Sequence, residues 1–344
     1  MSSVFGNLKM NKFSIFIPTY NAEAFLGPCL ESIFRQDYPR EKIEVVIVDG
    51  GSTDRTYEIA MQFPVRFLEN PDRLAHYAFR IYGENADADL VVMFAADNEL
   101  YGTDWMNTAN LCFEEFPDLA ALWGRQVSGE HDKPVNKYFA LIQSEPLSFF
   151  TNKHLDGYLI AGQSFSAGNK QGKVFQVDSR HPLVWGANGL ILKLEYVRKF
   201  FVADDFIGDN DIFQNMIEEN HNRVAFISDL HTIHHHVRSV GEWAGKFRRN
   251  YAKHFLEQRK NRNMRWAFNP GFFRRFLLWL FYASIPVFSG IHALWLAVRE
   301  KNIYWLYHPV LNFVQVFIYT QQTLFSAEGR SFLQESLFRK SKIS

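Results

Sequence analysis

Apolar and polar positions follow two alternating rhythms over the first hundred residues. Residues 13–18, FSIFIP, form a short apolar run rich in β-formers that ends at proline, the mark of a buried strand. AEAFLGPCLESIFRQ follows with its apolar positions Phe25, Leu26, Cys29, Leu30, Ile33 and Phe34 at helical spacing. IEVVIVDGGSTD is a second buried strand that stops at Asp49 before a Gly-Gly turn, and Ser52 or Thr53 is placed to cap the helix DRTYEIAMQF. VRFLEN reads as a third strand, RLAHYAFRIYGENA as a third helix and DLVVMFAAD as a fourth strand. Strict strand–helix alternation predicts an α/β fold with a mostly parallel, Rossmann-like sheet and flanking helices. Ligands in such sheets bind beyond the carboxyl ends of the strands, where Asp49 and Asp97 both fall.

The pattern then changes. Residues 145–184 are rich in Ser, Gly, Asn and Lys with weak periodicity, and read as a long mobile active-site loop. LVWGANGLILKLEYVRKF returns to strand and helix, and GDNDIFQNMIEENHNRVAFISDL reads as a helix capped by Asp209 followed by a strand. Residues 276–298 carry no charge and are long enough to span a bilayer core of ~30 Å. Residues 303–325 are also uncharged but include Asn, Gln and His, and Pro286 and Pro309 are placed to kink or break these helices. A spanning hairpin and a hairpin lying in the interface are both open, and either directs the tail to membrane. The aromatic residues and the flanks FFRR and FRKSK suit interface anchors with both flanks cytoplasmic.

Composition sharpens this division. The 344 residues contain 37 Lys and Arg against 37 Asp and Glu, yet from Arg238 to Arg275 there are eleven cations and two acids, Glu242 and Glu257. A basic block beside apolar segments predicts an anionic membrane surface as partner rather than nucleic acid. Cys29 and Cys112 lie far apart without metal-ligand spacing, as expected for inert thiols in a reducing compartment, and residues 1–12 lack the pattern of a secretory signal. The expected organisation is a catalytic domain over residues 1–235, with a nucleotide-sugar half at about 12–100 and an acceptor half at about 101–235. A basic amphipathic linker over 236–275 and a membrane-associated helical tail over 276–344 follow.

FSIFIPTYNAEAFLGPCLESIFRQDYP together with IEVVIVDGGSTDRT resembles the opening of family 2 glycosyltransferases of GT-A fold, and the resemblance covers roughly residues 12–240. It implies transfer of a sugar from a nucleotide-sugar donor with inversion, assisted by Mg²⁺ or Mn²⁺. By the same resemblance Pro18, Thr19, Tyr20 and Glu23 line the nucleotide pocket and Asp49 holds the base or ribose. A strand-end carboxylate suits an imide N–H or a ribose hydroxyl. Asp54 reads as a first-turn helix acid. Arg73 or Arg80 stands in for an arginine the family brings near the nucleotide, and WGANG at 185–189 resembles its small-residue segment near the donor sugar.

The family's D-x-D metal motif is altered here. Ala95 replaces the first aspartate, Asp97 keeps the second, and Asn98 or Glu99 is placed to supply a further oxygen. One aspartate and a diphosphate can hold a hard cation. The family's catalytic pair becomes Gly208 and Asp209, with Asp211 two residues on. This makes Asp209 the expected general base and Asp211 its alternate or a helix-orienting group. His234 and His236 alternate along an extended segment and point one way, so either could ligate the cation, with His236 the chosen candidate. Arg238 and Lys246 are candidates for diphosphate, and Arg248 and Arg249 for lipid phosphate.

The leading expectation is thus a membrane-associated transferase with its catalytic domain on the cytoplasmic side, acting on a glycan or polyprenyl-linked acceptor. A nucleotidyltransferase shares the topology but carries G-x-G-x-R where this chain has P-T-Y-N. Ala95 and Gly208 motivate the other reading, a catalytically inactive membrane scaffold.

Overall fold

The computed structural model describes residues 9–339 except 74, 152–153, 180, 182, 184–187, 202–208 and 264–269. The chain packs as two units, residues 1–129 with 154–234, and residues 130–153 with 235–344.

The first unit holds one sheet. Its strands are β1 (Phe13–Thr19), β2 (Ile43–Asp49), β3 (Arg66–Glu69), β4 (Leu90–Met93), β5 (Asn98–Leu100), β6 (Ala121–Val127), β7 (Gln163–Ala167), β8 (Lys170–Gln176), β9 (Leu190–Lys193) and β10 (Arg223–His234). They are ordered β3-β2-β1-β4-β9-β6-β10-β8-β7, with β5 paired to β10. The sheet is parallel from β3 to β4, where the crossovers are α1 (Leu26–Phe34), α2 (Thr56–Ala60) and α3 (Ala75–Asn85). Beyond β4 it is mixed: β9 runs antiparallel to β4 and β6, and β8 antiparallel to β10, while β6 and β10 are parallel. The expected parallel order therefore holds only where strand and helix alternate in sequence.

Both faces of the sheet are covered, which is why β1 and β2 are apolar at nearly every position. Phe13, Ile15, Ile17, Val45 and Ile47 pack on one face, and Phe16, Val46, Val48 and Val91 on the other. α4 (Trp105–Glu115) joins the first face through Trp105, Met106 and Ala109.

The region read as a long loop is mostly ordered structure. It contains α6 (Pro146–Thr151), α7 (His154–Ala161) and the β7–β8 hairpin, preceded by α5 (Pro134–Ile142). Its elements are short, and one face of β7 is exposed, so little apolar periodicity appears in the sequence. α8 (Leu194–Phe201) and α9 (Asp209–Glu218) follow β9, as the strand–helix pattern there predicted.

The second unit is helical. α10 (Val240–Asn250) is capped by Ser239, whose hydroxyl accepts from the Glu242 N–H at 3.1 Å. α11 (Pro270–Ser284), α12 (Pro286–Arg299), α13 (His308–Phe325) and α14 (Ala327–Arg339) complete it. The break expected from sequence at Pro286 forms, and the spanning hairpin is not supported. The uncharged stretch 276–298 breaks before Pro286, and the two helices meet at 93°. Among the described residues no single helix is long and apolar enough to cross a membrane. Proline at the first turn of α12 lacks the N–H that would continue α11, so the chain restarts there instead of running on.

Candidate functional site

The β2 turn is built around Asp49. Its carboxylate is buried and fully engaged: Oδ2 accepts from the Gly51 and Ser52 backbone N–H groups, and Oδ1 from the Ser52 and Thr19 hydroxyls. β1 and β2 run in register Thr19↔Asp49, so the two residues leave the sheet side by side. Gly51 takes φ +82°, and a Cβ there would come to 3.3 Å from the Arg73 guanidinium. Glycine thus lets the chain turn left-handed beneath that cation. Tyr20 is exposed beside Gly50, while Pro18 lies half-buried near the end of β1.

Neither Ser52 nor Thr53 caps the next helix, in contrast to the expectation. Ser52 is spent on Asp49, and Asp54 organises the first turn by accepting from the Thr56 backbone N–H at 3.0 Å. Glu23 accepts from the Arg55 backbone N–H at 3.1 Å and pairs with its guanidinium at 3.5 Å. Thr19, Tyr20, Asp49 and Arg73 therefore gather around Gly50 and Gly51, with Glu23 bracing the neighbouring turn. Between the two candidate arginines the structure distinguishes plainly: Arg73 overlies Gly51, while Arg80 pairs with Glu84 along its own helix.

The second cluster answers why a buried strand ends in polar residues. After Met93 the chain turns at 94–97, closed by the Asn98 N–H donating to the Ala95 carbonyl at 3.0 Å. It then enters β5, whose register with β10 sets Asn98 opposite His234 and Glu99 opposite Ile233. Asp97 Oδ1 lies 3.7 Å from His234 Nε2. His234 Nδ1 is 3.0 Å from Gln126 Oε1, and in the tautomer that carries its proton on Nδ1 the ring donates to that oxygen and turns Nε2 toward Asp97. Asn188 stands 3.3 Å from the same Nδ1 and accepts from Asn98 Nδ2 at 2.9 Å. Gly189 follows with φ +80°, and a Cβ there would collide with Thr232 Oγ1. Trp185, Gly186 and Ala187 of the same motif lie outside the described residues.

Beneath the turn the Cys29 thiol points at the Ala95 carbonyl at 3.8 Å. Burial pushes this thiol well above its ordinary value, and the Asp97 and Glu99 carboxylates add to the effect. Among the described residues no group of three or more His, Cys, Asp or Glu converges to hold a metal ion. The donor chemistry still fits a hard divalent cation, since one carboxylate and one neutral imidazole leave room for diphosphate and water oxygens.

His236 belongs to the second unit, where its ring meets Phe139 edge-on at 5.1 Å and its carbonyl accepts from Lys246 at 2.7 Å. His235 is held by Asp132 at 2.7 Å, and Arg238 pairs with Glu242. It is His234 that meets Asp97. α9 begins at Asp209, whose side chain lies outside the described residues, as does Gly208. Asp211 is buried in the first turn of that helix. Sequence reasoning overlooked Gln126, Asn188 and the part played by Asn98. An alternating reading of ALWGRQV as a strand would have found β6, but only the β6–β10 pairing brings Gln126 to His234.

The family model described as glycosyl transferase family 2 matches residues 14–168. A Methanococcus voltae protein named dolichyl N-acetyl-alpha-D-glucosaminyl phosphate 3-beta-D-2,3-diacetamido-2,3-dideoxy-beta-D-glucuronosyltransferase is 32% identical over 151 residues, 40% of this chain and 46% of that protein. The Staphylococcus aureus poly(ribitol-phosphate) beta-N-acetylglucosaminyltransferase TarS is 44% identical over 54 residues, 16% of this chain and 9% of that protein. Each match spans less than half of the relative's length. The mannosyltransferase PcManGT from Pyrobaculum calidifontis, solved with GDP-Man and Mn²⁺, superposes with TM-score 0.52 at 16% identity, covering 90% of this chain and 87% of that one. This likeness concerns the fold. Residues 14–168, somewhat less than half of the chain, are thus similar to glycosyl transferase family 2.

Proposed function

We propose that this protein transfers a sugar from a nucleotide-sugar donor to a glycan or polyprenyl-linked acceptor, with inversion, at the cytoplasmic face of a membrane. The observation that carries the reading is the placement of two polar clusters, at Asp49 and at Asp97–His234, at the carboxyl ends of β2 and β4, the strands on either side of β1 in the parallel part of the sheet. Thr19, Tyr20, Asp49 and Arg73, with Pro18 and Glu23 behind them, receive the nucleotide. Tyr20 offers an exposed ring as a flat wall, and Arg73 a cation for phosphate or carbonyl oxygen.

Asp97, with His234 and the nearby Glu99, would hold Mg²⁺ or Mn²⁺. A bound divalent cation would offset charge on the departing diphosphate. Gln126 Oε1, accepting from His234 Nδ1–H, would orient the ring so that Nε2 faces Asp97 and is placed to ligate. Asp209 removes the proton from the acceptor hydroxyl on the face opposite the leaving group, and Asp211 orients the start of the same helix.

The test is release of nucleoside diphosphate from UDP-, GDP- and dTDP-sugars by detergent-solubilised protein with membrane lipid extract, with and without Mn²⁺ or Mg²⁺. Metal-dependent turnover of one donor, lost in Asp97→Ala and in Asp209→Asn, is the expected result. Ala95, where the family has an aspartate, favours a second reading as an inactive scaffold. Absence of both turnover and donor binding across the panel would establish that reading instead.

A further inference from the structure

Along α13 the packed face buries polar side chains among apolar ones, and the outer face is apolar. His308, Asn312 and Gln315 are buried and hydrogen-bonded, with Asn312 Oδ1 accepting from Trp279 Nε1 at 2.8 Å and His308 bonded to Tyr138 and Tyr282. Val310, Phe313 and Phe317 of the same helix are exposed. α11 and α12 repeat the theme. Trp279, Ala283, Ala293 and Leu296 face inward, yet Leu278, Phe281, Val287, Ile291, Leu294 and Val298 are all exposed. A helix apolar on its packed face and again on its outer face is built for a non-aqueous surrounding.

Two features say what that surrounding is. Exposed Arg274 stands before the apolar stretch, and exposed Arg299 and Lys301 after it, with the Arg299 guanidinium 4.2 Å from the Trp295 ring centroid. The second unit as a whole contains 20 Lys and Arg against 8 Asp and Glu. A second copy of this chain would bring the same positive charge to the contact, whereas an anionic phospholipid surface complements it. The bend then sets the depth. At 1.5 Å per residue α11 and α12 are roughly 22 and 21 Å long, short of a ~30 Å bilayer core, and at 93° they do not add end to end.

We propose that the outer face of α11–α13 is a one-leaflet membrane seat that inserts into anionic phospholipid and does not cross it. The seat deepens the membrane part of the preceding reading and is independent of the sugar chemistry, because its test needs no donor.

Full-length protein is mixed with vesicles of phosphatidylglycerol and phosphatidylcholine and separated by flotation, beside vesicles of phosphatidylcholine alone. The protein is expected to float with the anionic vesicles. Ile291→Glu combined with Leu294→Glu is expected to lower that partition by roughly tenfold or more, since charge at lipid depth is costly. Both positions are exposed, and an unchanged thermal melt shows that the variant folds. A further variant, Lys301→Cys, is treated with a membrane-impermeant maleimide added outside sealed vesicles. Full labelling supports a seat in one leaflet, whereas protection of that thiol would show a crossing hairpin and overturn it. Equal flotation of wild type and the double variant would also overturn it. So would failure to float together with a stable dimer that Ile291→Glu dissociates, which would assign the face to a second copy.

Discussion

The two units of this chain solve opposite solvent problems with one neutral composition. The first unit carries 17 Lys and Arg against 29 Asp and Glu, and the second 20 against 8, so the two imbalances cancel in the whole chain. Among the described residues the first unit exposes five large apolar side chains, three of them tyrosines, whereas the second exposes seventeen between Leu277 and Phe325. The first unit puts its apolar residues on both faces of a covered sheet and its carboxylates at strand ends. The second buries amides and histidines within an apolar core and also presents Phe, Leu and Val outward. Net charge and mean hydropathy averaged over the chain report neither condition, because they sum two surfaces matched to different media.

If the acidic first unit carries the chemistry and the basic second unit the attachment, damage to one should spare the other. Asp97→Ala should cut nucleoside diphosphate release by roughly a thousandfold, the loss of several kcal/mol of charge stabilisation, while vesicle flotation stays unchanged. A parallel fall in flotation would break the division. Next in size, Gln126→Ala should weaken Mn²⁺ binding by roughly 10- to 100-fold, the usual cost of removing the partner that orients a ligating histidine. Titration followed by Mn²⁺ resonance reads this without turnover. Gln126→Glu, which keeps an acceptor for His234 Nδ1, should restore most of the affinity, and failure to do so would deny Gln126 a positioning role.

A smaller effect belongs to the second unit. Burial pushes the Glu145 carboxyl up to about 7, only partly relieved by the Gln315 amide that donates to it at 3.2 Å. Its folded value thus lies above the unfolded value of 4.5. The stabilisation is fully present below about pH 4.5 and is lost as pH rises through about 7. Glu145→Gln should remove that slope and stabilise the protein at pH 8 by on the order of 2 kcal/mol, measured by denaturant melts across pH. A slope that survives the substitution would place its origin elsewhere. The smallest effect is an expected silence: Cys29 and Cys112, both buried with thiols held far above neutral, should resist alkylation at pH 7.5 and react only on unfolding.

Legibility in the sequence followed the same division. β1 to β4 and the helices between them could be read because apolar runs there alternate with clear turn signals. The Asp49 turn was equally open, since carboxylate, Gly-Gly and Ser fall within four residues. The β7–β8 hairpin and the short helices before it were not, because their half-exposed elements leave no sustained period. His234 and His236 were equivalent as letters, and Gln126 carries no local mark of function.

By itself the sequence determined the parallel half of the sheet, the strand-end positions of Asp49 and Asp97, and the apolar, basic character of the last third. These properties depend on near neighbours along the chain, where periodicity and turn chemistry operate. Tertiary structure alone decided that His234 meets Asp97, that Arg73 rather than Arg80 overlies Gly51, and that the helices on either side of the Pro286 break meet at 93°. Each depends on residues far apart in sequence, or on which face of a helix finds a partner, and burial is settled only when the whole chain has packed.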